Sequence, residues 1–130
     1  MDVFVYGTLT EPERVASVVD SFVFVGAAVL EGCHPVSGRY PTLAPGGETA
    51  GRLLRTDDVE ALDAYEGVDS GLYVRVSARR TDGGTAAVYV GDPDQLDTDE
   101  SVEWPGDGPF AERVRRYFDA ESVVVRPQHS

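Results

Sequence analysis

Residues 73–90 narrow the possible folds more than any other part of the chain. Tyr73 to Arg80 and Thr85 to Val90 are two runs of strand-like composition. Thr81-Asp82-Gly83-Gly84 lies between them, and its glycines suit a tight reversal. Two such runs joined by a short turn pair antiparallel, so the spacing predicts a β-hairpin. Further β-rich runs fall at residues 3–6, 22–30, 50–55 and 122–126.

Three stretches with helical period separate these runs. Thr10-x-x-Glu13 matches a capping box with Pro12 in the first turn, and Val15, Val18 and Val19 form a stripe. A helix over 11–20 is expected there. Asp57 is the expected N-cap of a helix over 58–66. Phe110, Val114, Tyr117 and Phe118 recur at i, i+4, i+7 and i+8, which predicts an amphipathic helix. Residues 33–48 hold several prolines and glycines and read as a loop with little regular structure. Residues 92–109 read as an acidic loop in which Trp104 is a candidate anchor. At 130 residues and 42% apolar, residues 1–130 suit a single domain with one core.

Charge excludes some functions. Asp and Glu number 23 against 11 basic residues, all arginine, for a net charge of −12. No basic patch stands out, which argues against a nucleic-acid partner. No apolar stretch approaches the ~18–20 residues that cross a bilayer, so no membrane partner is expected. Met1 to Leu9 has no basic leader and reads as a strand, not a signal peptide. A soluble cytoplasmic protein is the expectation. An acidic, lysine-free surface also suits a high-salt cytoplasm, where the Debye length falls to ~3 Å at ~1 M salt.

Metal and thiol chemistry are poorly supported. Cys33 is the one cysteine, and His34 beside it points to the opposite face of any strand. Without further donors the pair makes no zinc site, and it lacks the contact a Cys/His nucleophile needs. His129 lies one residue from the C-terminus and is expected to be disordered. Asp97-x-Asp99-x-Ser101 begins like a calcium loop, but Val102 stands where the turn needs glycine. No metal and no cofactor is expected.

Glu66 is the candidate for chemistry. It lies seven residues after Val59 and four after Leu62, so it falls about 20–40° from both on the helix. Tyr65 is read as part of the same apolar set. Glu66 also occupies the last turn, where the dipole disfavours negative charge, and Gly67 stops the helix. Burial and dipole would both raise its pKa toward the range of a general base. The other reading is that the helix frays and the carboxylate reaches water. Tyr6-Gly7-Thr8-Leu9 links the first strand to the first helix. Its backbone N–H groups suit an anion, although an ordinary turn has the same composition.

These pieces together resemble the γ-glutamylcyclotransferase-like superfamily, in its AIG2-like branch. A strand leads into Tyr6-Gly7-Thr8-Leu9. Gly38-Arg39-Tyr40-Pro41 and the strand Ala50-Gly51-Arg52-Leu53-Leu54 follow. Next come Leu62-Asp63-Ala64-Tyr65-Glu66-Gly67 and Tyr73-Val74-Arg75, and then Ala86-Ala87-Val88-Tyr89. The likeness covers residues 2–91, leaving the acidic loop 92–109 and the C-terminal helix and strand over 110–126 outside it.

The resemblance implies an α+β fold, a small mixed β-barrel with surrounding helices, and a cavity lined by the loop and the glutamate. It implies cyclisation of a γ-glutamyl amide to 5-oxoproline, with release of an amine or amino acid. In it Tyr6, Gly7, Thr8 and Leu9 would hold the small-molecule substrate and Glu66 would move the proton. Tyr73 and Tyr89 are candidates to add a hydroxyl to the cavity, although Tyr89 reads better as an ordinary strand aromatic. Tyr40 would line the rim, and Arg75 would pair with a surface carboxylate. The reading from a different class is a non-catalytic binding module for a small anionic metabolite.

Overall fold

Val3, Phe4 and Val5 are at most 2% exposed because the first strand, β1 (Asp2–Val5), has a neighbour on each side. It pairs antiparallel with β3 (Thr42–Arg55) and parallel with β5 (Thr85–Gly91). The computed structural model describes residues 1–128, apart from the side chain of Thr8, so the reading of His129 lies outside the described residues. The sheet continues from β3 to β2 (Val23–Val36), then β6 (Val124–Pro127), then β4 (Tyr73–Arg80), which returns to β5. The β2–β6 and β4–β5 pairs are antiparallel and β4–β6 is parallel. The result is a closed, mixed, six-stranded barrel of α+β class, as the resemblance implied.

Four α-helices accompany the barrel among the described residues: α1 (Pro12–Ala16), α2 (Val59–Glu66), α3 (Pro93–Leu96) and α4 (Phe110–Ala120). A 3-10 turn, Gly7–Thr10, precedes α1. No helix there is long and apolar enough to cross a membrane.

Residues 33–48 are a correction. They are mostly strand, not loop: β2 and β3 form one long hairpin, paired from Val23↔Arg55 to Val36↔Thr42 with register shifts between Phe24 and Gly26 and between Glu31 and Cys33. Pro35 and Pro45 misled the reading. Both lie where their strand has a sheet neighbour on one side only, since β6 meets β2 at residues 28–31 and β1 meets β3 at residues 52–55. A missing N–H costs little on such an edge.

The first helix is shorter than the predicted 11–20. Thr10 forms no capping box: its hydroxyl donates to the Gly7 carbonyl at 2.7 Å, inside the 3-10 turn. Val15 and Val19 are buried all the same. In α2 the N-cap is Asp58, not Asp57, and Tyr65 is 44% exposed, outside the buried stripe of Val59 and Leu62. Within 92–109 the chain makes α3, opened by the Asp92 side chain accepting from the Asp94 N–H and anchored by the fully buried Leu96.

Side chains alternate across the barrel wall. Phe4 belongs with Leu30, Leu53, Val76, Val88 and Val125, and one flank of that core is Trp104 with Val114 and Phe118 of α4. Val3 and Val5 belong to a second cluster with Leu9, Val15, Leu62, Tyr73 and Tyr89. Trp104 is 1% exposed and meets the Tyr117 ring edge-on at 5.3 Å. Trp104→Ala should therefore lower stability by about 3–5 kcal/mol. Trp104→Phe should cost less, because much of the volume stays and the indole N–H has no partner among the described residues. Denaturant melts of both variants check this, and an unchanged midpoint for Trp104→Ala would remove Trp104 from the core's supports.

Candidate active site

Two chain stops meet at one cavity. The first is the end of β1, where Tyr6 leads into Gly7 at φ 66° and the 3-10 turn. The second is the end of α2. Gly67, at φ 69° in the left-handed region, turns the chain so that the Val68 N–H reaches the Asp63 carbonyl at 3.0 Å. That cap ends the helix at Glu66 and starts the short turn to Tyr73 at the head of β4.

The cavity measures about 380 Å³, within the range of roughly 300–1,000 Å³ typical of small-molecule sites. Phe4, Val5, Leu9, Tyr73 and Tyr89, all buried, contribute its walls together with Tyr6. Arg14, Tyr40, Pro41 and Tyr65, all exposed, line its mouth. Glu66 is its one carboxylate.

Glu66 is half-buried, and burial pushes its pKa up from 4.5 to about 7. Among the described residues no hydrogen bond or ion pair holds its carboxylate. The tyrosines around it are committed. The Tyr6 hydroxyl donates to the Tyr89 carbonyl at 2.5 Å, and that of Tyr73 donates to the Pro41 carbonyl at 2.5 Å. The Tyr89 hydroxyl donates to Asp63 Oδ1 at 2.6 Å, and Asp63 Oδ2 pairs with Arg75 at 3.1 Å. Burial raises the pKa of all three phenols. They keep their protons and fix the walls, which leaves Glu66 as the carboxyl poised to exchange one near neutrality.

The structure brings Tyr6, Leu9, Tyr40, Glu66 and Tyr73 together at this cavity. Gly7 sits at its edge, where an added Cβ would lie 3.2 Å from Pro41 Cγ. Thr8 contributes backbone to the 3-10 turn. Tyr89 lines the cavity, against the reading of it as an ordinary strand aromatic. Its register partner in the hairpin is Arg75, and both join Asp63 on α2. Arg14 and Tyr65 were missed. Tyr65 was assigned to the buried stripe, and Arg14 lines the mouth through a turn whose shape the capping-box reading hid.

The rim owes its position to the acidic segment. The Arg39 N–H donates to the Leu96 carbonyl, and the Asp99 N–H to the Ser37 carbonyl, each at 2.8 Å. These bonds tie α3 and the residues after it to the turn carrying Tyr40 and Pro41. Away from the cavity, Cys33 is buried and its thiol is pushed up to about 12, while His34 bonds Glu100 at 2.9 Å on the other face.

Comparison with known proteins follows the same lines. A family model described as γ-glutamyl cyclotransferase, AIG2-like, matches residues 3–106. The AIG2-like protein C of Arabidopsis thaliana is 38% identical over 76 residues, covering 52% of this chain and 44% of the relative. The chain thus spans less than half the length of that curated relative. A solved γ-glutamyl cyclotransferase superposes with TM-score 0.57 at 18% identity, over 89% of this chain and 98% of its own. An uncharacterized Homo sapiens protein superposes with TM-score 0.59 at 19% identity, over 88% of this chain and 97% of its own. At those identities the two structures share the fold.

Burying an unpartnered carboxyl has a measurable cost. The folded chain holds the Glu66 proton to higher pH than the unfolded chain does. Its stabilising contribution is therefore complete below pH ~4.5 and is lost as pH rises through about 7. Glu66→Gln should stabilise the protein by up to roughly 3 kcal/mol at pH 8, with the gain fading toward pH 4. Melts across that pH range check the sign, and carbon-detected NMR of the Glu66 carboxyl should place its midpoint near 7. A midpoint in the ordinary carboxylate range would put the group in water.

Proposed function

We propose that this chain, which belongs to the AIG2-like γ-glutamyl cyclotransferase family, cyclises a γ-glutamyl amide to 5-oxoproline and releases the amine or amino acid. The observation that carries the reading is Glu66, a single carboxyl on an open-mouthed cavity, unpartnered among the described residues, with its pKa raised to about 7.

The chemistry needs such a group. An α-ammonium is not a nucleophile, so a base must take its proton. Ionised Glu66 accepts that proton as the amine nitrogen bonds to the γ-carbonyl carbon and closes the five-membered ring. The tetrahedral intermediate then collapses and the amide C–N bond breaks. Glu66 returns its proton to the departing nitrogen and relays the second proton shed by the ring nitrogen, so that the amine leaves as an ammonium ion and Glu66 ends ionised. Proton transfer in both directions is best served by a pKa near the working pH. The walls of Tyr6, Tyr73 and Tyr89 hold the chain folded, so that attack is unimolecular. The Tyr6–Leu9 loop suits the substrate carboxylate, because the first N–H groups of a 3-10 turn lack partners within the turn.

The test is release of 5-oxoproline from γ-glutamyl amino acids and amines in ~2 M KCl, where self-repulsion of a surface with net charge −12 is screened. Glu66→Gln should lower kcat by about 10²–10⁴-fold with the circular dichroism spectrum unchanged. Because the base works ionised, kcat/KM should climb with pH and level off above about 7. Activity that survives in Glu66→Gln would assign the proton transfer to another group. A ligand bound and never turned over would make the cavity a binding site.

A further inference from the structure

We propose that Arg14 reads a carboxylate on the leaving group, so that the chain prefers γ-glutamyl amino acids over γ-glutamyl amines. The inference rests on the cyclotransferase reading of the same cavity.

Arg14 is the one cation lining that cavity, and among the described residues nothing pairs with its guanidinium. Acids outnumber arginines 23 to 11, and four of the eleven, Arg55, Arg75, Arg80 and Arg126, hold a carboxylate, whereas Arg14 does not. The backbone beneath Arg14 is well fixed. Pro12 sets the first turn of α1, and Val15 is fully buried. Arg52 Nη1 donates to the Thr10 carbonyl at 2.9 Å, pinning the approach to the helix.

Depth decides which part of the substrate Arg14 meets. The ring-closing glutamyl group must reach Glu66 and the buried walls. The scissile amide then points outward, and its leaving group lies at the mouth. There Arg14 meets it, beside the exposed rings of Tyr40 and Tyr65, which are 53% and 44% exposed. A mouth that holds both a cation and aromatic surface matches the carboxylate and side chain of an amino acid. A guanidinium takes a carboxylate through two parallel hydrogen bonds, which an amine leaving group cannot offer. A γ-glutamyl amino acid is also a net anion approaching an acidic chain, and Arg14 supplies local attraction at the opening.

γ-Glutamyl-alanine and γ-glutamyl-ethylamine differ by that carboxylate alone. Their affinities are measured calorimetrically in the Glu66→Gln background, where neither turns over, with Arg14 intact, Arg14→Gln or Arg14→Lys. Arg79→Gln removes the same charge from an exposed site on β4 and serves as the control. With Arg14 intact, the alanine compound should bind about 10- to 100-fold tighter. That advantage should shrink below about threefold in Arg14→Gln, stay intermediate in Arg14→Lys and persist in Arg79→Gln. Equal affinities with Arg14 intact, an advantage surviving Arg14→Gln, or an equal loss in Arg79→Gln would overturn the assignment. Equal turnover of both compounds by the unaltered protein would also overturn it while leaving the cyclotransferase reading intact. No binding and no turnover of either would bring both down.

Discussion

The pairing of β1 on both its edges is the constraint on which the rest of the structure depends. Four residues join β3 to β5 and close the sheet, which leaves the barrel without an open edge at that seam. Closure forces tight contacts. An added Cβ at Gly51 would collide with the Val5 carbonyl and the Phe4 ring, so the neighbouring strand carries glycine there. Asp2 sits at the start of the strand, between Arg55 of β3 and Arg80 of β4. The same strand ends at Tyr6, so closing the barrel also delivers the loop to the cavity.

The cavity is a place where the fold leaves one polar group unserved. Each tyrosine hydroxyl in its walls has a fixed acceptor, and Asp63 has both a phenol and an arginine. Among the described residues Glu66 has neither, and its desolvated carboxyl opposes stability above neutrality. Such an imbalance is common where chemistry is done, because a group satisfied by the protein has nothing left to give a substrate. The acidic segment contributes from outside, since α3 and the residues after it brace the rim through main-chain bonds.

Much of this was legible in the residues. The hairpin of β4 and β5 follows from composition and two turn glycines, and β4 begins and ends where expected. Glu66 was found because helical geometry places it beside Leu62 and because Gly67 ends the helix. What failed did so for identifiable reasons. Prolines at one-sided strand positions imitate a loop, and which edges are paired depends on the distant strands β1 and β6. The capping-box pattern at Thr10 lost to a 3-10 turn that uses the same hydroxyl on Gly7. The Asp92-Pro93 opening of α3 was readable as a cap followed by a first-turn proline, but the surrounding acids drew attention to a loop.

Arginine placement ties stability to recognition. In a chain of net charge −12, arginines are scarce relative to acids, and three of the eleven stitch strand to strand. Arg55 and Arg80 converge on Asp2, Arg75 joins β4 to α2, and Arg126 joins β6 to Glu31 of β2. Arg52 lies over the Phe24 ring, 3.7 Å from its centroid, while bonding the Thr10 carbonyl. Arg52 therefore spends its charge holding the backbone that carries Arg14, and Arg14 keeps its own charge free at the mouth. A surface that repels anions overall can still admit one at a single opening, because at high salt the field there is set by the nearest groups. Those groups are Arg14 and Glu66, the one cation and the one carboxylate that line the cavity.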